Sequence, residues 1–152
     1  IFRYNANKNS GYVCAPKASA DAEYGLTFNN CQILSEDGCS GSKYYLARPW
    51  GADAYITWIN CYMGKILSGT AKKPYSDMSG NKAENARFFE YGTYGPAYVI
   101  NADRRQISKK KAEEMISADY LGWNPYTTVT EGFSKDRKLR QICRKRVFIR
   151  YI

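Results

Sequence analysis

A chain of 152 residues is the size of one domain, able to bury about 70% of the surface its unfolded form exposes. Its formal net charge of +9 suits an anionic partner, yet residues 126–152 hold eight Lys or Arg against two acids (+6), and the preceding 125 residues hold 15 against 12 (+3). The basicity is therefore mostly a tail, and a continuous electrostatic groove for a nucleic-acid duplex is poorly supported. The chain contains no His, and its five cysteines (Cys14, Cys31, Cys39, Cys61 and Cys143) include no C-x-x-C pair. Both facts argue against the common zinc sites and against Ser-His or Cys-His nucleophiles, so any hydrolysis would run on carboxylates, Lys or a metal held by oxygen.

In chain order, the strand candidates are GYVCA from Gly11, YGLTFNNCQI over Tyr24–Ile33, YYLA from Tyr44, AYITWINCYM over Ala54–Met63, KIL from Lys65, ARFFEY from Ala86 and AYVI from Ala97. All are short and separated by Gly, Ser, Asn, Asp or Pro. Two of them share an ending, Asn30-Cys31 and Asn60-Cys61, thirty residues apart. Many short strands with little helix leave a sandwich or a stacked solenoid such as a parallel β-helix, and the recurring Asn-Cys favours stacking. In a solenoid, equivalent positions of successive coils lie about 4.8 Å apart, so small or amide side chains are expected to line up as interior ladders. One helix is predicted from Ser108 as N-cap, with Ala112, Met115 and Ile116 as its apolar stripe; three Lys in its first turn oppose the helix dipole. It should pack on the side or end of the strands. After Gly122–Pro125 the composition turns Thr-rich and then densely basic, which divides the chain into a packed domain, 1–125, and a basic tail, 126–152.

One strand candidate ends in a corner, Arg48-Pro49-Trp50. Arg offers a planar fork of donors that suits a carboxylate, Trp a flat face that suits the C–H face of a sugar, and Pro fixes their relative direction. The plainer reading is a surface turn in which the Arg stacks on its neighbour Trp. No apolar run approaches the length of a membrane span and no signal peptide is visible; a start at Ile1 reads as a processed product or fragment.

The longer pattern resembles the pectin methylesterases, most of all their bacterial branch. The segments that carry it are GYVCAPKA at Gly11, YGLTFNNCQI, YYLARPWG, DMSGN at Asp77, ARFFEYGTYGPA at Ala86, DRRQIS at Asp103 and YLGWNP, covering about residues 10 to 125 in family order. The resemblance implies an all-β, right-handed parallel β-helix with one C-terminal helix. It implies a hydrolase that removes methyl groups from the galacturonate units of pectin, without metal, cofactor or His.

In such enzymes one Asp attacks the ester carbonyl, Gln side chains help stabilise the oxyanion, and a second Asp protonates the departing methanol and then activates water. Carried over by position, Arg48 orients the nucleophilic Asp, while Trp50 and Met78 meet the sugar; a Met at 78 could equally be simple packing. The family's nucleophile lies in a D-F-I-F-G segment and its acid/base in a Q-D-T segment, both before GYV, and neither occurs in this sequence. None of Asp21, Asp37, Asp53, Asp77, Asp103, Asp119 or Asp136 stands in such a motif.

The expectation is therefore the C-terminal portion of a pectinesterase, incomplete at the N-terminus of its β-helix and inactive alone. Its partner would be pectin, with no nucleic acid or membrane partner, and the complete protein would be monomeric. Extracellular or periplasmic placement follows from that substrate. The alternatives are a non-catalytic module of the same fold that binds acidic polysaccharide and, resting on the tail alone, a basic nucleic-acid-binding protein.

Overall fold

The computed structural model describes residues 1–117 except 8, 24, 41 and 42. Seven strands are found there: β1 (Ser10–Cys14), β2 (Leu26–Asn29), β3 (Gln32–Ile33), β4 (Lys43–Ala47), β5 (Tyr55–Ile59), β6 (Tyr62–Met63) and β7 (Arg87–Tyr91). Every pairing between them is parallel, in three sheets: β1–β4, β2–β5–β7 and β3–β6. Parallel neighbours cannot be joined by a hairpin, so the chain must travel round before it pairs again. It does so by visiting the three sheets in turn: Leu26 lies opposite Ile56 and Tyr55 opposite Arg87, one circuit of about thirty residues each. Isolated parallel bridges carry each sheet one coil further, at Ala47–Tyr75, Glu90–Gln106 and Tyr62–Tyr94. This is a parallel β-helix, the stacked solenoid that the repeat predicts.

The Asn-Cys repeat has two separate causes. Asn30 and Asn60 adopt positive φ (55° and 52°), and Gly92, at the same place in the next coil, has φ 60°. The corner between the second and third sheets therefore needs a left-handed residue, which Asn and Gly supply at low cost. The two Asn side chains are exposed, so they form no interior ladder; the inward half of the repeat is the cysteine. Cys31 and Cys61 are buried in successive coils, followed by buried Thr93 in the third. Burial pushes the Cys61 thiol up to about 12.

The interior column beside them runs Phe28, Trp58 and Glu90, with the two rings stacked at 4.3 Å. Ile56, Phe88, Leu46 and Met63 fill the remaining core. Strand β5 is buried on both faces because helix α1 (Lys109–Met115) lies against its outer side, where Tyr55 and Ile59 meet Ala112 and Met115. Ser108 caps that helix by accepting from the Lys111 amide at 3.2 Å. The Lys of its first turn find Glu one turn on, Lys109 with Glu113 and Lys111 with Glu114, which offsets their misplacement against the dipole.

Two expected strands are something else. The KIL segment opens a 3₁₀ helix, Lys65–Thr70, because Ile66 and Leu67 both turn inward and the Gly64 carbonyl accepts from Leu67. The AYVI segment is a loop: the Ala97 amide pairs with Met63, but the Tyr98 amide turns back to Gly95. Positions Asp119, Asp136 and Cys143, the 122–125 segment, the boundary at 125 and the basic stretch 126–152 lie outside the described residues.

Candidate functional site

Strand β4 ends at Ala47, which sits between Cys14 of the coil before and Tyr75 of the coil after. The corner that follows is fixed by backbone bonds to its neighbours: Arg48 N–H donates to Cys14 O at 3.4 Å and Trp50 N–H to Pro16 O at 3.0 Å, while Ser76 N–H donates to Ala47 O at 3.2 Å. Pro49 packs inward and is buried; Trp50 stands out with 56% of its surface exposed. The indole is therefore presented to solvent by a corner that is itself rigid.

Arg48 does not stack on Trp50. Its guanidinium lies over the ring of Tyr12, 4.3 Å from the centroid, and its Nε is buried without a hydrogen-bond partner among the described residues. The cation–π contact holds the guanidinium in place and leaves the buried Nε–H without an acceptor. Tyr12 in turn stacks on Tyr45 of the next coil, 5.4 Å between centroids and 14° between planes. An aromatic floor thus runs beneath the cation.

Met78 belongs to the next coil. It stands three residues beyond Tyr75, as Trp50 stands three beyond Ala47, and Ala47 and Tyr75 are bridged, so the two follow equivalent corners of successive coils. Met78 is half-buried on a tight turn, with reciprocal backbone bonds to Asn81 at 3.0 and 2.9 Å and positive φ at Ser79 (49°) and Gly80 (86°). The turn is stapled by Asp77, which accepts from Lys82 Nζ at 2.7 Å and from Ala83 N–H at 3.0 Å. Those two bonds hold its carboxyl below the usual range.

The described aspartates, Asp21, Asp37, Asp53, Asp77 and Asp103, are all exposed. The buried carboxylate among the described residues is Glu90, and it is fully engaged: it accepts from Arg104 Nε and Nη2 (2.9 and 2.6 Å), from Tyr75 Oη (3.0 Å) and from Thr93 Oγ1 (2.8 Å). Saturated in this way, it serves structure, tying the third coil to the one after it. The sequence reasoning missed this network, although an acid at an inward position of FFEY, with two arginines in DRRQIS, was a signal for it. No group of three or more His, Cys, Asp or Glu that could hold a metal ion occurs among the described residues.

Comparison with known proteins points one way. Pectinesterase A of Dickeya dadantii (strain 3937) is 30% identical over 149 aligned positions, covering 82% of this chain and 41% of the relative. Two solved structures, the pectin methylesterase of Erwinia chrysanthemi and a pectin methylesterase in complex with a hexasaccharide, each superimpose with a TM-score of 0.63 at 25% identity. Each match covers 81% of this chain and 43% of the other. The chain thus spans about two fifths of the length of the curated relatives it matches. No family model matches it.

Proposed function

The chain belongs to the pectin methylesterase family over the stretch it shares with these relatives, and from that premise we propose that it forms part of the groove in which methyl esters of polygalacturonate are hydrolysed. The observation that carries the reading is the Arg48 fork, held on Tyr12 with a buried, unpartnered Nε, next to the projecting Trp50. In the reaction an aspartate attacks the ester carbonyl, methanol departs with a proton from a second acid, and water then cleaves the acyl-enzyme. Arg48 orients the attacking carboxylate, Trp50 takes the sugar face, and Met78 lines the same groove. Both carboxylates must come from outside this sequence, because neither family motif occurs in it, and the chain by itself releases no methanol. Pectin is the partner, and the substrate places the protein in an extracellular or periplasmic setting.

The test is a chimera in which coils bearing the family's Q-D-T and D-F-I-F-G segments precede this chain. It should release methanol from methylated pectin. Arg48→Ala should lower kcat, since it acts on the nucleophile, and Trp50→Ala should mainly raise KM. Undiminished turnover in Arg48→Ala would overturn the assigned role. The second reading is a binding module without catalysis, which keeps the projecting Trp50 and lacks the carboxylates. It would stand if the folded chimera stayed silent while the 152-residue chain still bound pectin.

A further inference from the structure

The cysteine half of the Asn-Cys repeat carries a chemistry that the groove does not use. Gln32 lies opposite Tyr62 in the β3–β6 ladder, so the residues just before that pair, Cys31 and Cys61, face each other across successive coils. The register there is clamped from both sides: Asn30 N–H donates to Ile59 O at 2.9 Å, and Tyr62 N–H donates to Cys31 O at 2.8 Å. Parallel neighbours stand about 4.8 Å apart, inside the roughly 4.4–6.8 Å between Cα atoms that a disulfide spans.

Both side chains point inward and meet. The Cys61 thiol leans back one coil, 3.4 Å from Phe28 O and 3.3 Å from Ile59 O, and it is in hydrogen-bonding contact with the Cys31 thiol. Cys31 is 4% exposed and Cys61 0%. Burial raises both thiols, Cys61 to about 12. In the third coil the buried residue is Thr93, so the thiol column is this pair alone. The other described cysteines are placed differently: Cys14 lies opposite Ala47, and the Cys39 thiol donates to Phe2 O at 3.6 Å.

We propose that Cys31 and Cys61 form an oxidative cross-linking site, closed by a small-molecule disulfide such as oxidised glutathione while the two coils come together. One cysteine attacks the glutathione disulfide and releases a reduced glutathione; the other then attacks the mixed disulfide, forms the Cys31–Cys61 bond and releases the second. The two thiol protons end on the two released glutathiones, so the protein loses two electrons and glutathione gains them. The reaction belongs to folding, because the thiolate is the nucleophile and a stacked, buried thiol offers little of it. A chain folded under reductant therefore keeps its thiols. Once closed, the bond makes a ring of one thirty-residue circuit and constrains the unfolded chain. It depends on the stacking of two coils alone, whatever the groove binds.

The 152-residue chain is refolded from denaturant in a mixture of oxidised and reduced glutathione and, in parallel, under excess reductant. Free thiols are then blocked in denaturant and the peptides are mapped by mass spectrometry without reduction. Cys31 and Cys61 should be joined, and the cross-linked chain should melt about 10 °C above the reduced one, as closing a loop of this length predicts. Cys14→Ala/Cys39→Ala/Cys143→Ala, which keeps only the pair, should form the same bond, and Cys31→Ala should lose both the bond and the melting shift. Absence of the Cys31–Cys61 bond from the refolded unaltered chain would overturn the site, whether its thiols stay free or pair elsewhere. That arm decides even where the triple variant fails to fold. A cross-linked chain that melts no higher than the reduced one would overturn it too, since the bridge would then be strained rather than fitted to the stacked coils.

Discussion

Glu90→Gln tests what holds the third coil in place. Glu90 and Arg104 are 0% and 1% exposed, and the carboxylate takes bonds from the guanidinium, Tyr75 and Thr93. The amide keeps the shape but removes the charge and places an NH₂ group where donors already converge. The hydroxyls of Tyr75 and Thr93 can rotate to accept from it, whereas a guanidinium has no acceptor to offer. Arg104 would be left charged in the interior without a counter-charge, held by the one remaining amide oxygen at position 90, the Ala97 carbonyl, 2.8 Å from Nη1, and the face of Tyr98, 5.1 Å away. Removing one partner of a buried pair costs about 3–5 kcal/mol. At roughly 1–3 kcal/mol per molar of urea, that moves the unfolding midpoint down by about 1 M or more. The double variant Glu90→Leu/Arg104→Met, which removes both charges, should recover most of the loss, since an apolar pair of similar volume is often no worse. Chemical unfolding followed by tryptophan fluorescence reads both. A Glu90→Gln loss under about 1 kcal/mol at unchanged slope would refute the claim that this network fastens the coil.

Three further outcomes follow from local geometry. Asp77 should titrate below its ordinary 3.8, because Lys82 and the Ala83 amide favour its charged form; its contribution to the 77–83 turn is present above that value and disappears as pH falls through the lowered one. A carboxyl NMR midpoint at or above 3.8 would contradict this. Gly64→Ala should destabilise by about 1–3 kcal/mol, as overpacking does, because a Cβ there would stand 2.1 Å from the Ile33 carbonyl oxygen; thermal unfolding checks it, and an unaltered Tm would show that the two coils can separate freely. Cys14 and Cys61, with thiols pushed up to about 12 by burial, should resist alkylation at pH 8 until the chain is denatured, which peptide mapping of the labelled protein reads directly.

The parts of this protein that could be read from its sequence are those where a single backbone constraint dictates a residue type. The thirty-residue spacing of Asn30-Cys31 and Asn60-Cys61 reported the coil length because a left-handed corner and a small inward side chain recur once per circuit. The Arg48-Pro49-Trp50 corner was legible for the same reason: an inward Pro forces its neighbours to diverge. What the Arg rests on was not, since Tyr12 lies 36 residues earlier and becomes its neighbour only through the β1–β4 register, which no local pattern encodes. The Glu90–Arg104 pair was hidden by alternation itself. Trp58 and Glu90 occupy the same interior column, and a periodicity argument admits the first and expects the second to face water. The KIL segment failed in the opposite direction: three residues are too few to separate a strand from a helical turn, and the decision is made by the Gly64 contact with Ile33 one coil away. In a solenoid the neighbours that matter are a full circuit apart. Local pattern therefore identifies the corners and the coil length, and the stacking between coils decides which side chains meet at the candidate site.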